Sequence, residues 1–242
     1  MDAAVLLGGP KEEWPADLKE QLKQAQAKGD LLIGVDRGAL LLLELGFKPD
    51  LAIGDFDSLK ADELAWVEGT VADIRYSVPK KDWTDSELML GIAFGDYKID
   101  QLKVYGATGG RLDHAAINAF GILNPDLRKY ANQLTLIDKQ NLIFYRQAGS
   151  YEMKKQDYSY FGVTCLLPVE DLTIEGALYD LPPYSGDYLR SFTSNEFLPD
   201  KDSCRLSLKK GLVAVVYSKD LDRYQMAGFA KDSLINIIKK SR

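Results

Sequence analysis

LLIGVDRGALLLLELGFKPDLAIGDFDS, residues 31–58, reads as strand, helix, strand. LLIGV (31–35) is a continuous apolar run of strand length. GALLLLEL is leucine-rich and closed by Gly46 and Pro49, and LAIG (51–54) is apolar again. Apolar strands separated by helices belong to a parallel sheet covered on both faces, because each crossover lays a helix against the sheet. An acid follows each strand at once: Asp36 after the first, Asp55 and Asp57 after the second.

The alternation extends in both directions. AAVLL (3–7) leads through Gly8-Gly9-Pro10 into PADLKEQLKQAQAKG, a helix stopped by Gly29. Downstream come a polar helix around LKADELAWV, strand IRYSV (74–78), helix TDSELMLGIAF, strand LKVYG (102–106), a helix within LDHAAINAFGIL, and strand LTLID (134–138). Residues 1–138 are therefore expected to form an α/β domain, a doubly wound, mostly parallel sheet. From about residue 140 the texture changes. NLIFYRQAG, SYEMKK, YFGVTCLLPV, LTIEGAL, SCRLSLKKG and LVAVVYS are strand-like and lack intervening helices. They predict a small all-β sandwich or barrel over residues 139–220. LDRYQMAGFAKDSLINIIKKSR (221–242) returns to helical periodicity with a basic end suited to the helix dipole, and reads as a helical tail of open role.

The chain has 242 residues, 46% hydrophobic and 27% charged, an ordinary globular balance. Thirty Lys and Arg against thirty-six Asp and Glu give a net charge of −6, and no basic run exceeds a pair, which argues against nucleic acid. No stretch approaches the ~18 apolar residues of a membrane span, and the N-terminus lacks a signal-peptide pattern. Two cysteines, Cys165 and Cys204, are too few for a disulfide scaffold or zinc site, and a single histidine, His114, excludes a multi-histidine centre. A cytoplasmic protein without membrane partners is expected.

Acids recur at strand ends: Asp36, then Asp55 and Asp57, then Asp82 and Asp85, then Asp113. Open α/β sheets bind ligands in the crevice at those ends. Carboxylates converging there repel one another unless a cation joins them, and magnesium, which shares oxygen ligands with substrate phosphates, is the natural candidate. Thr84-Asp85-Ser86-Glu87 reads equally as a capping box, and Asp57-Ser58 as a cap for a helix beginning near Leu59. Gly106-Ala107-Thr108-Gly109-Gly110 joins strand to helix, where backbone N–H groups can approach phosphate, and Arg111 adds a permanent cation. The alternative is a glycine turn with a surface arginine. There is no GxxxxGK[ST] and no GxGxxG, so neither a Walker-type NTPase nor a nicotinamide cofactor is supported. His114 suits nucleotide binding, orientation of Asp113 or a structural role. Trp83 could stack on adenine, but packing under its loop is favoured.

Pro49-Asp50 through Gly54-Asp55-Phe56-Asp57-Ser58, Lys81-Asp82-Trp83-Thr84-Asp85 and Gly109-Gly110-Arg111-Leu112-Asp113-His114 occur in an order and spacing that resemble the thiamine pyrophosphokinase family. Val35-Asp36-Arg37-Gly38-Ala39 resembles the family's second-strand loop. Thr193-Ser194-Asn195-Glu196-Phe197 resembles its segment near thiamine. The resemblance covers about residues 1–220. It implies a transferase of thiamine diphosphate biosynthesis, moving a diphosphoryl group from ATP to thiamine with Mg²⁺, in a homodimer whose β domain helps form the thiamine pocket across the subunit boundary. By this resemblance Asp55, Asp57, Asp85 and Asp113 are catalytic, the first three as metal ligands. Asp36, Arg37, Lys81, Asp82, Thr84, Gly109, Gly110, Arg111 and His114 bind ATP, and Thr193, Ser194 and Asn195 bind thiamine. Two rivals remain: a metal-dependent nucleotide-sugar transferase using Asp55-Phe56-Asp57 as a DxD, and a non-enzymatic thiamine or nucleotide sensor.

Overall fold

The computed structural model describes residues 1–77 and 83–220. Lys81, Asp82 and the expected tail helix at 221–242 lie outside the described residues.

The first half is the expected alternation: β1 (Ala3–Leu6), α1 (Leu18–Lys28), β2 (Leu31–Val35), α2 (Arg37–Glu44), β3 (Leu51–Gly54), α3 (Ala61–Thr70), β4 (Asp73–Tyr76), α4 (Asp85–Gly95), β5 (Leu102–Tyr105), α5 (Leu112–Phe120) and β6 (Leu134–Ile137). Its strands are all parallel, in the order β6-β5-β1-β2-β3-β4. The chain winds outward from β1 to β4, then crosses to the other side of β1 for β5. The β1/β5 boundary is thus a topological switch point, where loops diverge and leave a crevice. Alternate residues of each strand feed opposite cores, which explains the unbroken apolar runs. Val5, Ile33, Ile53 and Val104 face α4 through Leu90, Ala93 and Phe94. Leu6 and Leu32 face Leu18 and Leu22 of α1 and Leu41 and Leu42 of α2.

The second half is antiparallel: β7 (Asn141–Lys154), β8 (Tyr160–Cys165), β9 (Val169–Glu175), β10 (Leu181–Gly186), β11 (Arg190–Asn195) and β12 (Ser203–Ser218). β12 pairs with β7 along its length, while its first part also pairs with β9 and its last part with β8, so the sheet forks. Val163, Leu172, Leu206 and Val215 fill the space between the branches. Two sequence expectations need correction. NLIFYRQAG and SYEMKK are one strand, β7, and SCRLSLKKG and LVAVVYS are one strand, β12. Gly149 and Gly211 are not turns but irregularities inside long strands, at φ of 154° and 111°, beside the register shift between Leu208 and Leu212. β7 also pairs antiparallel with β6, through Thr135–Phe144, Leu136–Ile143 and Ile137–Leu142. The antiparallel half therefore continues the parallel sheet into a single twelve-stranded one. Tyr145, Leu212 and Ala214 of the second half complete the core under α4. Among the described residues no helix is long and apolar enough to cross a membrane.

Candidate active site

A cleft of about 570 Å³ opens at the switch point, walled by the loops after β1, β2, β3 and β5 and by the start of α4. Of the residues singled out from sequence, Asp36, Arg37, Asp57, Thr84, Asp85, Gly109, Gly110, Arg111 and His114 line it. Asp55 and Asp113 do not. Strand ends collect these side chains because parallel strands all finish at the same edge of the sheet.

Asp36 sits in the turn from β2 into α2 at φ 46°, a conformation costly for a residue with a Cβ. Its backbone N–H donates to the Ile53 carbonyl, and its Oδ1 accepts from the Phe56 N–H at 3.3 Å. The carboxyl lies against Gly54, where an added Cβ would come within 1.8 Å of Oδ1. Glycine in GDFDS is thus required by its neighbour as well as by its own φ of 148°. Burial pushes the Asp36 carboxyl up to about 7, with the charges of Asp85, Asp55 and Asp57 adding to the rise and the Phe56 N–H opposing it.

Phe56 is the buried anchor of the next loop, and the acids either side of it are exposed. Asp55 is turned onto its own loop, accepting from the Asp57 N–H at 3.1 Å. Asp57 caps nothing: α3 begins at Ala61, with Lys60 at its N-cap and Glu63 reaching back to the Lys60 N–H. That removes the capping alternative for Asp57. Arg37 ties this loop to α2, donating to the Ser58 carbonyl at 3.0 Å and lying 3.6 Å from Glu63.

At α4 the capping alternative holds, and it leaves residues of the same segment at the cleft. Thr84 and Glu87 form the capping box, with the Thr84 N–H donating to Glu87 Oε2 at 3.0 Å, yet Thr84 and Asp85 also line the cleft. Trp83 packs on α4, its ring lying where a Cβ on Gly91 would stand. Across the cleft, Arg111 and Asp113 pair at 2.6 Å. The Arg111 hydrogen bond, with lesser help from the His114 N–H, holds the Asp113 carboxyl down to about 2. Asp113 is thereby turned toward Arg111, and the His114 side chain is left exposed at the rim.

Among the described residues no three acidic, histidine or cysteine side chains converge tightly enough to make a metal cage unaided. The cleft nevertheless suits a shared divalent cation. Asp57 and Asp85 take no hydrogen bond from the described residues, and the Asp36 carboxyl, raised first by burial, is raised further by the charges of Asp85, Asp55 and Asp57. Magnesium is ordinarily held by one or two carboxylates, with phosphate oxygens and water completing its shell.

In the second half, Thr193 and Ser194 are exposed on a separate groove of about 610 Å³, which also carries Tyr160, Phe161 and Thr164 of β8. Asn195 behaves differently. It is 5% exposed, its Oδ1 accepts from the Tyr179 and Glu196 N–H groups, and its Nδ2 donates to the Tyr179 carbonyl. Its amide is committed to the backbone.

Sequence reasoning missed the Gly8-Gly9-Pro10 wall and Asn118, which donates to the Ala107 carbonyl at 2.9 Å. The signal for the glycines was their place directly after the first strand. For Asn118 it was the helical spacing from His114.

Comparison with known proteins agrees with this geometry. Residues 22–135 match the family described as thiamin pyrophosphokinase, catalytic domain, and residues 150–213 match thiamin pyrophosphokinase, vitamin B1 binding domain. A curated thiamine pyrophosphokinase from Bacillus subtilis is 29% identical over 224 residues, 89% of this chain and 98% of that protein. The crystal structure of a thiamin pyrophosphokinase family protein from Enterococcus faecalis superposes with a TM-score of 0.82 at 35% identity, covering 91% of this chain and all of the other. The Bacillus subtilis enzyme's crystal structure gives a TM-score of 0.76 at 29% identity over 91% of this chain and all of its own. None of these favours the nucleotide-sugar transferase or the sensor.

Proposed function

Because the chain belongs to the thiamin pyrophosphokinase family and is an enzyme of the thiamine diphosphokinase class, we infer that it transfers a diphosphoryl group from ATP to the hydroxyl of thiamine, giving thiamine diphosphate and AMP. The observation that carries the assignment of ATP to a place is the switch-point cleft, with a glycine-rich loop on one wall and carboxylates on the other.

The loop Gly106–Gly110, leading to the start of α5, receives the phosphates, since orphan N–H groups and the positive end of the helix dipole both favour anions there. Arg111 supplies a cation that cannot lose its proton. Asp57 and Asp85 would hold Mg²⁺, with Asp36 and Asp55 beside them, and Lys81 and Asp82 belong to the ATP set by family resemblance. Bound Mg²⁺ would neutralise phosphate charge and orient the chain of phosphates for in-line displacement. The thiamine hydroxyl oxygen then bonds to the β-phosphorus and gives its proton to water or a cleft carboxylate, while the bond from the β-phosphorus to the α–β bridging oxygen breaks and AMP leaves with that oxygen. The protein's share is positioning: strand ends fix the acids, and the strained Asp36 turn and buried Phe56 hold their loops. The acidic wall also suits the cationic thiazolium ring.

Thr193 and Ser194 contact thiamine, and Asn195 shapes the corner that presents them. No lining residue is common to the groove and the cleft. The family resemblance supports a cytoplasmic homodimer, and the separation leaves room for the groove of one subunit to face the cleft of its partner. Incubation with Mg·ATP and thiamine, followed by chromatography, is expected to yield AMP and thiamine diphosphate in equal amounts. ADP with thiamine monophosphate would overturn the assignment. Sedimentation at micromolar concentration is expected to give a dimer, and a fully active monomer would remove the shared site.

A further inference from the structure

We propose that Asp138, at the end of β6, is the positioning residue of the glycine-rich loop and acts on it through Thr108; the proposal rests on the ATP role assigned to that loop. Gly106, Gly109 and Gly110 have φ of 66°, 78° and 63°, so the loop is built from residues with little conformational preference of their own. Its shape must come from tethers. The Gly9 N–H donates to the Gly106 carbonyl at 3.1 Å, and Asn118 Nδ2 donates to the Ala107 carbonyl at 2.9 Å. The next residue, Thr108, carries the loop's single polar side chain, and its hydroxyl donates to Asp138 Oδ2 at 2.7 Å. Beyond it Gly109 and Gly110 line the cleft.

Asp138 is fixed independently of the loop. It is 8% exposed and is not among the residues lining the cleft. Its Oδ1 accepts from the Gln140 N–H at 2.8 Å, the Asn141 N–H at 2.7 Å and Asn141 Nδ2 at 3.1 Å, while its own N–H donates to the Asn141 carbonyl at 2.9 Å. Oδ1 is thus locked into the tight turn from β6 to β7, while Oδ2 takes the Thr108 hydroxyl at 2.7 Å and a longer second hydrogen bond from Asn141 Nδ2 at 3.2 Å, so the turn fixes both oxygens. A carboxylate so constrained cannot follow a moving loop, so the loop is held to it. The cost of ordering three glycines is then met on folding rather than when nucleotide binds, which is how pre-organisation tightens binding.

The test compares wild type with Thr108→Val, which keeps shape and removes the hydroxyl, and Thr108→Ser, which keeps the hydroxyl. For Val, calorimetry with a non-hydrolysable ATP analogue is expected to show Kd raised about tenfold, matched by KM for Mg·ATP, with KM for thiamine within about twofold. Ser is expected to restore wild-type values. If Val loses its fold, Thr108→Ala, which admits water to the freed Asp138 oxygen, carries the same expectation. Unchanged analogue binding, equal losses for ATP and thiamine, or a Ser variant as defective as Val would each overturn the proposal. Should the wild type form no thiamine diphosphate, the proposed function fails, while the analogue Kd still decides the role of Asp138.

Discussion

The cleft wall and the β11 corner were both marked out by short polar residues, and the structure spends those residues in opposite ways. At the cleft, Asp57 and Asp85 project beyond a buried anchor and a capped helix, taking no hydrogen bond from the described residues. At the corner, Asn195 is buried and gives every hydrogen bond described for it to the backbone of Tyr179 and Glu196. A polar side chain saturated by its own backbone maintains a shape. One left exposed at the edge of a sheet meets water, and in the proposed function a ligand takes that place. The difference divides residues of one type into those fixed within the fold and those open to a partner.

The largest expected effect tests the unsaturated side. Asp57→Asn and Asp85→Asn keep size but remove charge, and each is expected to lower kcat by at least ~10²-fold, several kcal/mol of transition-state stabilisation, with little change in Tm. Near-wild-type rates in both would make these acids ordinary surface residues. Asn195→Ala is expected to do the reverse. It orphans backbone groups at Tyr179 and should cost about 1–3 kcal/mol of stability by denaturant unfolding, with a smaller effect on thiamine KM. A thiamine KM defect without loss of stability would return Asn195 to the ligand.

Ser194→Gly sharpens the comparison within one strand. Ser194 has φ of 58°, so glycine relieves backbone strain while removing the hydroxyl. Thiamine KM is expected to rise about 3–10-fold, with KM for ATP and Tm preserved. The smallest effect concerns Asp36. Its carboxyl rises from 3.8 to about 7 on folding, so between those values the unfolded chain ionises first and the folded state loses stability as pH rises. Asp36→Asn removes that cost. It is expected to melt about 2–4 °C above wild type at pH 8 without metal, and to match it near pH 4. Magnesium should narrow the pH 8 gap, and a gap unaffected by pH would discard the electrostatic cause.

What was legible in the sequence follows the same division. β2, α2 and β3 could be read at once because apolar periodicity and strand-terminal acids are local signals, and Asp36 and Asp57, though not Asp55, line the cleft because topology sends parallel strand ends to one edge. Tertiary partners were not legible. Nothing local says that Asn195 would close on Tyr179, sixteen residues away. Asp138 could be read as the end of a strand, but its hold on Thr108 spans thirty residues of sequence. In the second half, glycine signalled a stop where long strands only bend, and LPPYSG and RSFTSN, short and broken by proline or serine, concealed β10 and β11.

The ladder between β6 and β7 has a practical side. A fragment ending after β6 would expose that strand's outer N–H and C=O groups along a flat apolar edge, the kind of surface that recruits further strands. Its partner fragment would begin with β7 similarly bare and would leave Tyr145, Leu212 and Ala214 without the core they complete. Cutting the gene at the turn should therefore give inclusion bodies rather than two tractable halves, and recombination between relatives should succeed only where the crossover keeps both strands from one parent.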